Sequence, residues 1–432
     1  MSDQNFEDTD TLVLDEKTDD LELSSLIAFI EGRFNRSKDW RRFDEERWLQ
    51  SYRNYRGLYG PDVQFTEAER SRVFIKVTKT KVLAAYGQIT DVLFARQKFP
   101  LSIEPTTLPE GITEAVHFDP KTPPEQTEEE EQTSPYGFPG DGREFEAGDT
   151  LTSLQEKKLN LGPLEEKLSD IEGLVEGEGL TPTAATFHPA MVAAKKMEKQ
   201  IMDQLEESGA SKHLRSSTFE CALFGTGIIK GPFAVDKEYA NWNEDGEYSP
   251  TIKTVPQVKH VSCWDFYPDP DASNMDDATY VIERHKLSRS QLRELKERPY
   301  FREEAIDRCI EMGEVYSSEY WEDDLKDYYL NDHPERYEIL EYWGLLETDI
   351  AKEYGIDLPK EFKNVDQIQV NCWICNNFVL RLVVNPFKPA RIPYYAVPYE
   401  LNPYSFFGIG LAENMDDTQT LMNGFMRMAV DN

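Results

Sequence analysis

Four places in this chain hold residues whose types and spacing could do chemistry. Asp269-Pro-Asp271-Ala-Ser273 sets oxygen-bearing side chains at alternate positions, as a calcium loop does. Such a loop needs a glycine at its sixth position and a bidentate glutamate at its twelfth, and Asn274 and Tyr280 stand there instead. The run reads as a polar turn between strands. Cys372-Trp-Ile-Cys375 has the spacing of a redox pair or of half a zinc site, but no second C-x-x-C completes it. It lies in a strand-like stretch, where positions three apart face opposite sides. Gly225-Thr-Gly-Ile-Ile-Lys230-Gly231 lacks the G-x-x-x-x-G-K-[ST] spacing with which backbone amides cradle phosphate, and reads as a helix-to-strand turn. His188, His213, His260 and His285 match neither H-x-x-x-H nor H-E-x-x-H, so no zinc ligand set is legible. The carboxylates are too many to single out an acid–base pair. No catalytic, cofactor-binding or metal-ligating residue is therefore predicted, and no cofactor.

The elements that would position these residues follow from periodicity. Leu26, Ile30 and Phe34 make a first helical stripe, and Ser37 offers an N-cap for a second helix carrying Trp40, Asp44, Trp48, Tyr52 and Tyr55 up to Gly57. Its Arg41, Arg42, Arg47, Arg53 and Arg56 alternate with acids, which predicts a solvated, salt-bridged face rather than contact with DNA. Val82, Ala85, Tyr86, Ile89 and Leu93 predict a helix within 74–94, ended before Pro100. Residues 110–178 hold nineteen acidic and five basic side chains, including Glu128 to Glu131. Such a stretch buries too little to offset its ordering entropy, apart from a short helix expected around 154–174.

Helical spacing resumes at Met191, with Met197, Ile201 and Leu205 on one helix, a break at Gly209, and Leu214, Thr218, Cys221 and Ala222 on the next. Strands are predicted from Ile228, over 251–262, from Thr279, over 337–346 and over 366–384, with Asn376-Asn377 as a hairpin turn and a short helix near 349–354. Ser288 caps a helix carrying Leu292 and Leu295. Pro393 and Pro398 confine the last extended stretch to a sheet edge, and Gly408 and Gly410 allow the turn into a helix whose Leu411, Met415, Leu421, Met422, Phe425 and Met426 recur at helical spacing. Nothing after Asn432 covers that Met and Phe face, so the natural polypeptide is expected to continue.

Composition excludes some classes. At 432 residues the chain can fill two or three domains. A net charge of −34 argues against a protein that wraps nucleic acid by neutralising phosphates. There is neither a long apolar run nor a basic start followed by an apolar core, so no transmembrane helix, membrane partner or secretory leader is expected. Five scattered cysteines fit reduced thiols in a cytosol.

The proline- and aromatic-rich run from Pro386 to Tyr399, followed by Gly408-Ile-Gly410, Leu-Ala-Glu and a Gln/Asn-containing helix, resembles the segment after the clip in portal proteins of short-tailed bacteriophages. Residues 48–59, 191–233 and 261–295 resemble the same family in the same order. The resemblance implies an α+β subunit with wing, stem and clip that forms a ring, a dodecamer, at one capsid vertex of the virion after assembly in the bacterial cytoplasm. It implies a conduit for double-stranded DNA during packaging and ejection, with the major capsid protein, the terminase large subunit and tail adaptor proteins as partners. On this reading 1–20 is a disordered acidic arm, 21–104 the N-terminal wing helices and 105–185 an acidic flexible insertion. Residues 186–300 are the wing helix pair and sheet, 301–385 the stem and clip, and 386–432 the return segment and the start of a channel or wing helix. The acidic surface would then let DNA slide without sticking. Two other readings are a metal-dependent enzyme acting on nucleic acid and an acidic monomeric binding protein.

Overall fold

The computed structural model describes residues 20–61, 63–65, 70–94, 99, 101–105, 116–118, 185–187, 189–242, 248–313, 316, 318–326, 336–353 and 365–432. The chain divides into two units, 1–101 with 200–432, and 102–199. The second is wider than the insertion expected at 105–185. The arm expected at 1–20, apart from Asp20, which begins a helix, and the helix expected around 154–174 lie outside the described residues.

The first element among the described residues is α1 (Asp20–Arg56), one unbroken helix where two were expected. Its buried residues Leu23, Ile27, Ile30, Phe34, Ser37, Arg41, Trp48 and Leu49 recur at helical spacing straight through the supposed cap. A continuous face has no reason to break, and Ser37 sits inside the helix with its hydroxyl 3.0 Å from that of Tyr280. Next is α2 (Val77–Phe94), on which Thr78 and Val82 are buried. In the second unit β1 (Val116–Phe118) pairs antiparallel with β2 (Ala185–Phe187), so part of the stretch expected to stay unstructured does form a ladder. There too the Ile103 amide donates to a Glu198 carboxylate at 3.2 Å.

The helix pair is α3 (Pro189–Glu207) and α4 (Ala210–Phe224), with Gly209 in the left-handed region between them. The buried side of α4 is Ala210, Ser217, Ala222, Leu223 and Phe224, so of the expected stripe Ala222 is buried while Leu214, Thr218 and Cys221 are half-buried. Gly225 ends α4, with its N–H on the Cys221 carbonyl at 3.0 Å.

Two antiparallel sheets follow. A long hairpin, β3 (Thr226–Tyr239) with β4 (Thr251–Val261), takes β10 (Tyr394–Pro398) at the β3 edge. Prolines at both ends of that last strand fit the edge, where a missing donor leaves no ladder bond unmade. The other sheet runs in order β5 (Phe266–Pro268), β6 (Tyr280–Leu287), β7 (Tyr337–Glu347), β8 (Gln367–Cys375) and β9 (Phe378–Val384). Asn376, at a positive φ of 51°, makes the turn between β8 and β9.

Short helices fill the connections: α5 (Arg289–Glu294), α6 (Glu303–Met312), α7 (Tyr320–Lys326) and α8 (Thr348–Glu353). Ser288 caps α5 through a capping box with Gln291. The chain closes with α9 (Leu411–Asn414) and α10 (Asp416–Asp431). Among the described residues no helix is long and apolar enough to cross a membrane.

Alternation along the five-stranded sheet buries both of its faces. Tyr280, Ile282, Leu340, Tyr342, Val370, Cys372 and Ile374 meet the first half of α1 through Leu23, Leu26 and Ile30. On the opposite face, Val281 and Trp343 join Trp48, Trp264, Phe266, Tyr394 and Phe407 in a second core. A third packs α5 and α6 on Ile339, Cys375 and Leu380. Cys372 and Cys375 thus fall into different cores, as their spacing on a strand requires.

Candidate functional site

Among the described residues, the calcium-like loop, the C-x-x-C pair and the glycine turn each make contacts that hold the fold together. Asp269 turns its carboxylate inward, accepting from the amides of Asp271 at 3.2 Å and Thr279 at 3.3 Å and from the Thr279 hydroxyl. Asn274 Oδ1 accepts from the amides of Asp276 at 2.8 Å and Asp277 at 3.0 Å. The loop is therefore held by its own backbone donors, as a turn linking β5 to β6 must be. The Cys375 thiol lies 2.9 Å from that of Cys309 on α6, a partner that C-x-x-C spacing could not point to.

The glycine turn after α4 meets the second glycine motif. Gly225, at φ 97°, packs on Gly408, Ile409 and Gly410 so closely that a Cβ on Gly225 would stand 2.4 Å from the Gly408 carbonyl oxygen and 2.6 Å from the Gly410 nitrogen. The Gly408 amide donates to the Thr226 hydroxyl at 2.9 Å, and the Tyr399 amide donates to the Gly225 carbonyl at 2.8 Å. Residues from both sides of the five-stranded sheet's sequence are locked together here by main chain.

One step along β3, Lys230 carries an ammonium into the space between the two sheets. Its Nζ donates to Glu283 on β6 at 2.9 Å and to Glu341 on β7 at 2.5 Å. The cross-strand pairing of Glu283 with Glu341 sets the two carboxylates side by side. Tyr394 donates its hydroxyl to Glu283 at 2.7 Å, and Trp343 its indole N–H to Glu341 at 2.7 Å. His285 Nε2 lies 2.7 Å from Glu341 while its ring stacks on Trp373 at 5.0 Å. Burial pushes the Glu341 carboxyl up, but Lys230 and His285 outweigh it and hold the group well below the usual carboxylate range. Burial likewise works against the Lys230 ammonium, and the two carboxylates more than reverse it. Glu283, His285 and Glu341 place ligand atoms within 4.8 Å of one another, a constellation that could hold a metal ion and that local spacing did not reveal. Lys230 already supplies the positive charge those carboxylates need. The node works as a buried ion pair that fixes one sheet on the other.

Three further polar anchors converge on α1 and the last helix. Arg41, fully buried, donates to the carbonyls of Cys263 at 3.0 Å, Trp264 at 2.5 Å and Phe266 at 2.5 Å and stacks over the Tyr267 ring at 3.7 Å. The expected solvated arginine face is wrong at this position, because three carbonyls of an irregular turn need buried donors. Arg47 pairs with Asp44 and, at 2.8 Å, with Glu413. Gln419, also fully buried, accepts from the Thr78 amide at 3.1 Å and hydroxyl at 3.0 Å, and donates to the Ile75 carbonyl at 2.5 Å. Asn423 accepts from the Ile75 amide at 3.0 Å. Gln419 thus satisfies one orphan donor in the first turn of α2, the Thr78 amide, while Asn423 holds the Ile75 amide just before the helix.

On the same α10 helix Leu421, Phe425 and Met428 stay more than half exposed. The apolar spacing that predicted this helix therefore lies on the side turned away from the polar lock.

A family model described as Phage SU10 portal protein matches residues 184–432, more than half of the chain. The match takes in both glycine turns, the Lys230 node and the Gln419 lock. A comparison with curated proteins finds no match.

Proposed function

The chain belongs to the phage SU10 portal protein family, and from that premise we propose that it is the subunit of a ring at one vertex of the capsid, the conduit through which double-stranded DNA enters the head and later leaves it. A portal protein is a structural component of the virion, and the proposed work of this chain is assembly and passage rather than turnover. In this reading the ring docks the terminase during packaging and tail adaptor proteins afterwards, and the subunits number twelve.

The observation that carries the proposal is the match over 184–432, and the construction of that region supports it. A ring that transmits motor force and withstands packaged DNA needs subunits that do not shear internally. The two sheets are tied by a buried ion pair and two distant turns by main-chain contact, and α1, which precedes the matched region, is tied to the start of β5 by Arg41. A net charge of −34 suits a conduit whose walls must not retain a polyanion.

Negative-stain electron microscopy of the purified protein tests the proposal. Annular particles with a central hole are expected, with the subunit number counted from class averages. Monomers or dimers at high concentration would contradict it and return attention to an acidic, non-assembling binding protein.

A further inference from the structure

Two of the five cysteines meet. Cys309 comes from α6 and Cys375 from the last position of β8, and although 66 residues separate them their sulfurs lie 2.9 Å apart, both buried. The elements that carry them are fixed on each other from both sides. Ahead of the pair, the Arg302 amide donates to the Leu380 carbonyl on β9 at 2.9 Å. Beyond it, the side-chain amide of Asn376 donates to the Gly313 carbonyl at 3.4 Å and lies 3.5 Å from the Cys309 sulfur. Ile306, Ile310, Ile339 and Leu380 pack in the same core. Disulfide sulfurs stand about 2.05 Å apart, so the bond needs about 0.9 Å of approach, which side-chain rotation supplies without moving either element.

The remaining thiols are placed differently. Cys372, three positions earlier on β8, faces the opposite core, Cys263 belongs to the core around Trp48, and Cys221, half-buried, donates to the Val397 carbonyl at 3.4 Å. The pair is also biased chemically. Its bond to Cys375 brings the Cys309 thiol below its ordinary value against the effect of burial, while the same bond and burial push Cys375 up. The thiolate is the species that attacks a disulfide, which makes Cys309 the entry point and Cys375 the resolving thiol. Solvent comes close on one side, where an open cleft of about 320 Å³ is lined in part by Met312, one turn on from Cys309, and by Ile374 and Asn376 on either side of Cys375.

We propose that Cys309 and Cys375 are a modification site, a thiol pair that a low-molecular-weight disulfide oxidises to a buried staple between α6 and the β8–β9 hairpin. The Cys309 thiolate attacks the small disulfide, forming a mixed disulfide and releasing one small thiolate. Cys375 then gives up its proton and attacks the Cys309 sulfur, which releases the second. Two protein thiols have lost two electrons, one small disulfide has become two thiols, and the two protons end on those thiols. Because both sulfurs are buried, exchange waits on local opening at the end of α6, and the bond once formed is shielded from reductant in the same way. The use of the staple rests on the proposed function. A virion subunit is made in a cytoplasm that keeps thiols reduced and is carried by the released particle into surroundings that do not, so the bond reinforces the subunit only after assembly.

The test equilibrates the full-length protein with oxidised and reduced glutathione, quenches it in acid, alkylates it under denaturing conditions and maps its peptides by mass spectrometry without reduction. A Cys309–Cys375 cross-linked peptide, with Cys263 and Cys372 still alkylated, is the expected result. With it should come a thermal midpoint raised by about 5 °C and restored by dithiothreitol. Cys375→Ala should abolish that rise, and Cys221→Ser should keep it. Five alkylated thiols after exhaustive oxidation, or glutathione on Cys221 alone, would overturn the inference, as would a cross-link that leaves the midpoint where it was. Electron microscopy of the same samples separates this inference from the ring. A staple in protein that forms no rings would support the thiol chemistry and remove its use in a particle, whereas rings without the staple would overturn the inference and leave the ring intact.

Discussion

Gly225 and Gly408 face each other with no room for a side chain on either. A Cβ on Gly225 would lie 2.4 Å from the Gly408 carbonyl oxygen, and one on Gly408 would lie 2.6 Å from that of Gly225. The turn that ends α4 and the turn that precedes α9 are therefore one structural joint. It unites the start of the three-stranded sheet with the helix pair at the end of the chain.

Gly225→Ala should destabilise the protein by about 3 kcal/mol or more, because it combines a strained positive φ with a clash against main chain that cannot retreat. Gly209→Ala is the control: its φ is also positive, at 67°, but nothing lies within 4 Å of a Cβ there. About 1 kcal/mol is expected for it. Urea unfolding of the two variants compares them, and equal losses would remove the close approach from the account.

Lys230→Met should cost about 3–5 kcal/mol, since it leaves Glu283 and Glu341 buried side by side without their shared cation. Neutralising the carboxylates as well, with Glu283→Gln and Glu341→Gln, should recover much of that loss. If the triple variant is no more stable than the single one, the cost lies in lost packing of the lysine stem rather than in charge.

The glycine turns, the edge strand with its prolines, the capped α5 and the β8–β9 hairpin were legible because each depends on backbone preferences carried by one or two adjacent residues. The Lys230 node was not. Its members stand on β3, β6 and β7, and only sheet packing brings them together. Arg41 was misread for the same reason. A helix surface pattern shows which residues alternate with acids, but not that a turn at Cys263 to Phe266 will present three carbonyls to one guanidinium. One clue was available in the Gln/Asn character of the last helix, since Gln419 and Asn423 are four apart and share a face.

That pair supplies a third prediction. Gln419→Ala strips the Thr78 amide and hydroxyl of their acceptor in a fully buried place, so a loss of about 2–3 kcal/mol is expected. Hydrogen exchange should quicken at the first turn of α2 before it does so in the sheets. Protection that falls evenly over the whole protein would argue against a local lock.

Acid provides the last test, and its sign follows from the carboxylates around Arg284. Burial works against the Glu322 carboxylate, but the Tyr316 hydroxyl, Lys286 and Arg284 bring its pKa down from 4.5 to about 2. A carboxyl depressed on folding stabilises the native state fully above its unfolded value, and the contribution drains away as pH falls through the folded one. Glu341 and Glu283 shift in the same direction. Asp44 and Glu338, raised chiefly by burial, oppose them, because protonation relieves their desolvation. The three depressed groups sit in the larger ion-pair networks, so stability should fall between about pH 4.5 and 2, followed by tryptophan fluorescence through Trp264 and Trp321, which pack at 4.6 Å. Arg284→Gln removes a guanidinium that donates to Glu322 at 2.9 Å and faces Asp265, Glu319 and Glu338, so it should move the acid midpoint to higher pH. A midpoint that stays in place would mean that acid unfolding begins elsewhere, with the Lys230 node the next to be tested in the same way.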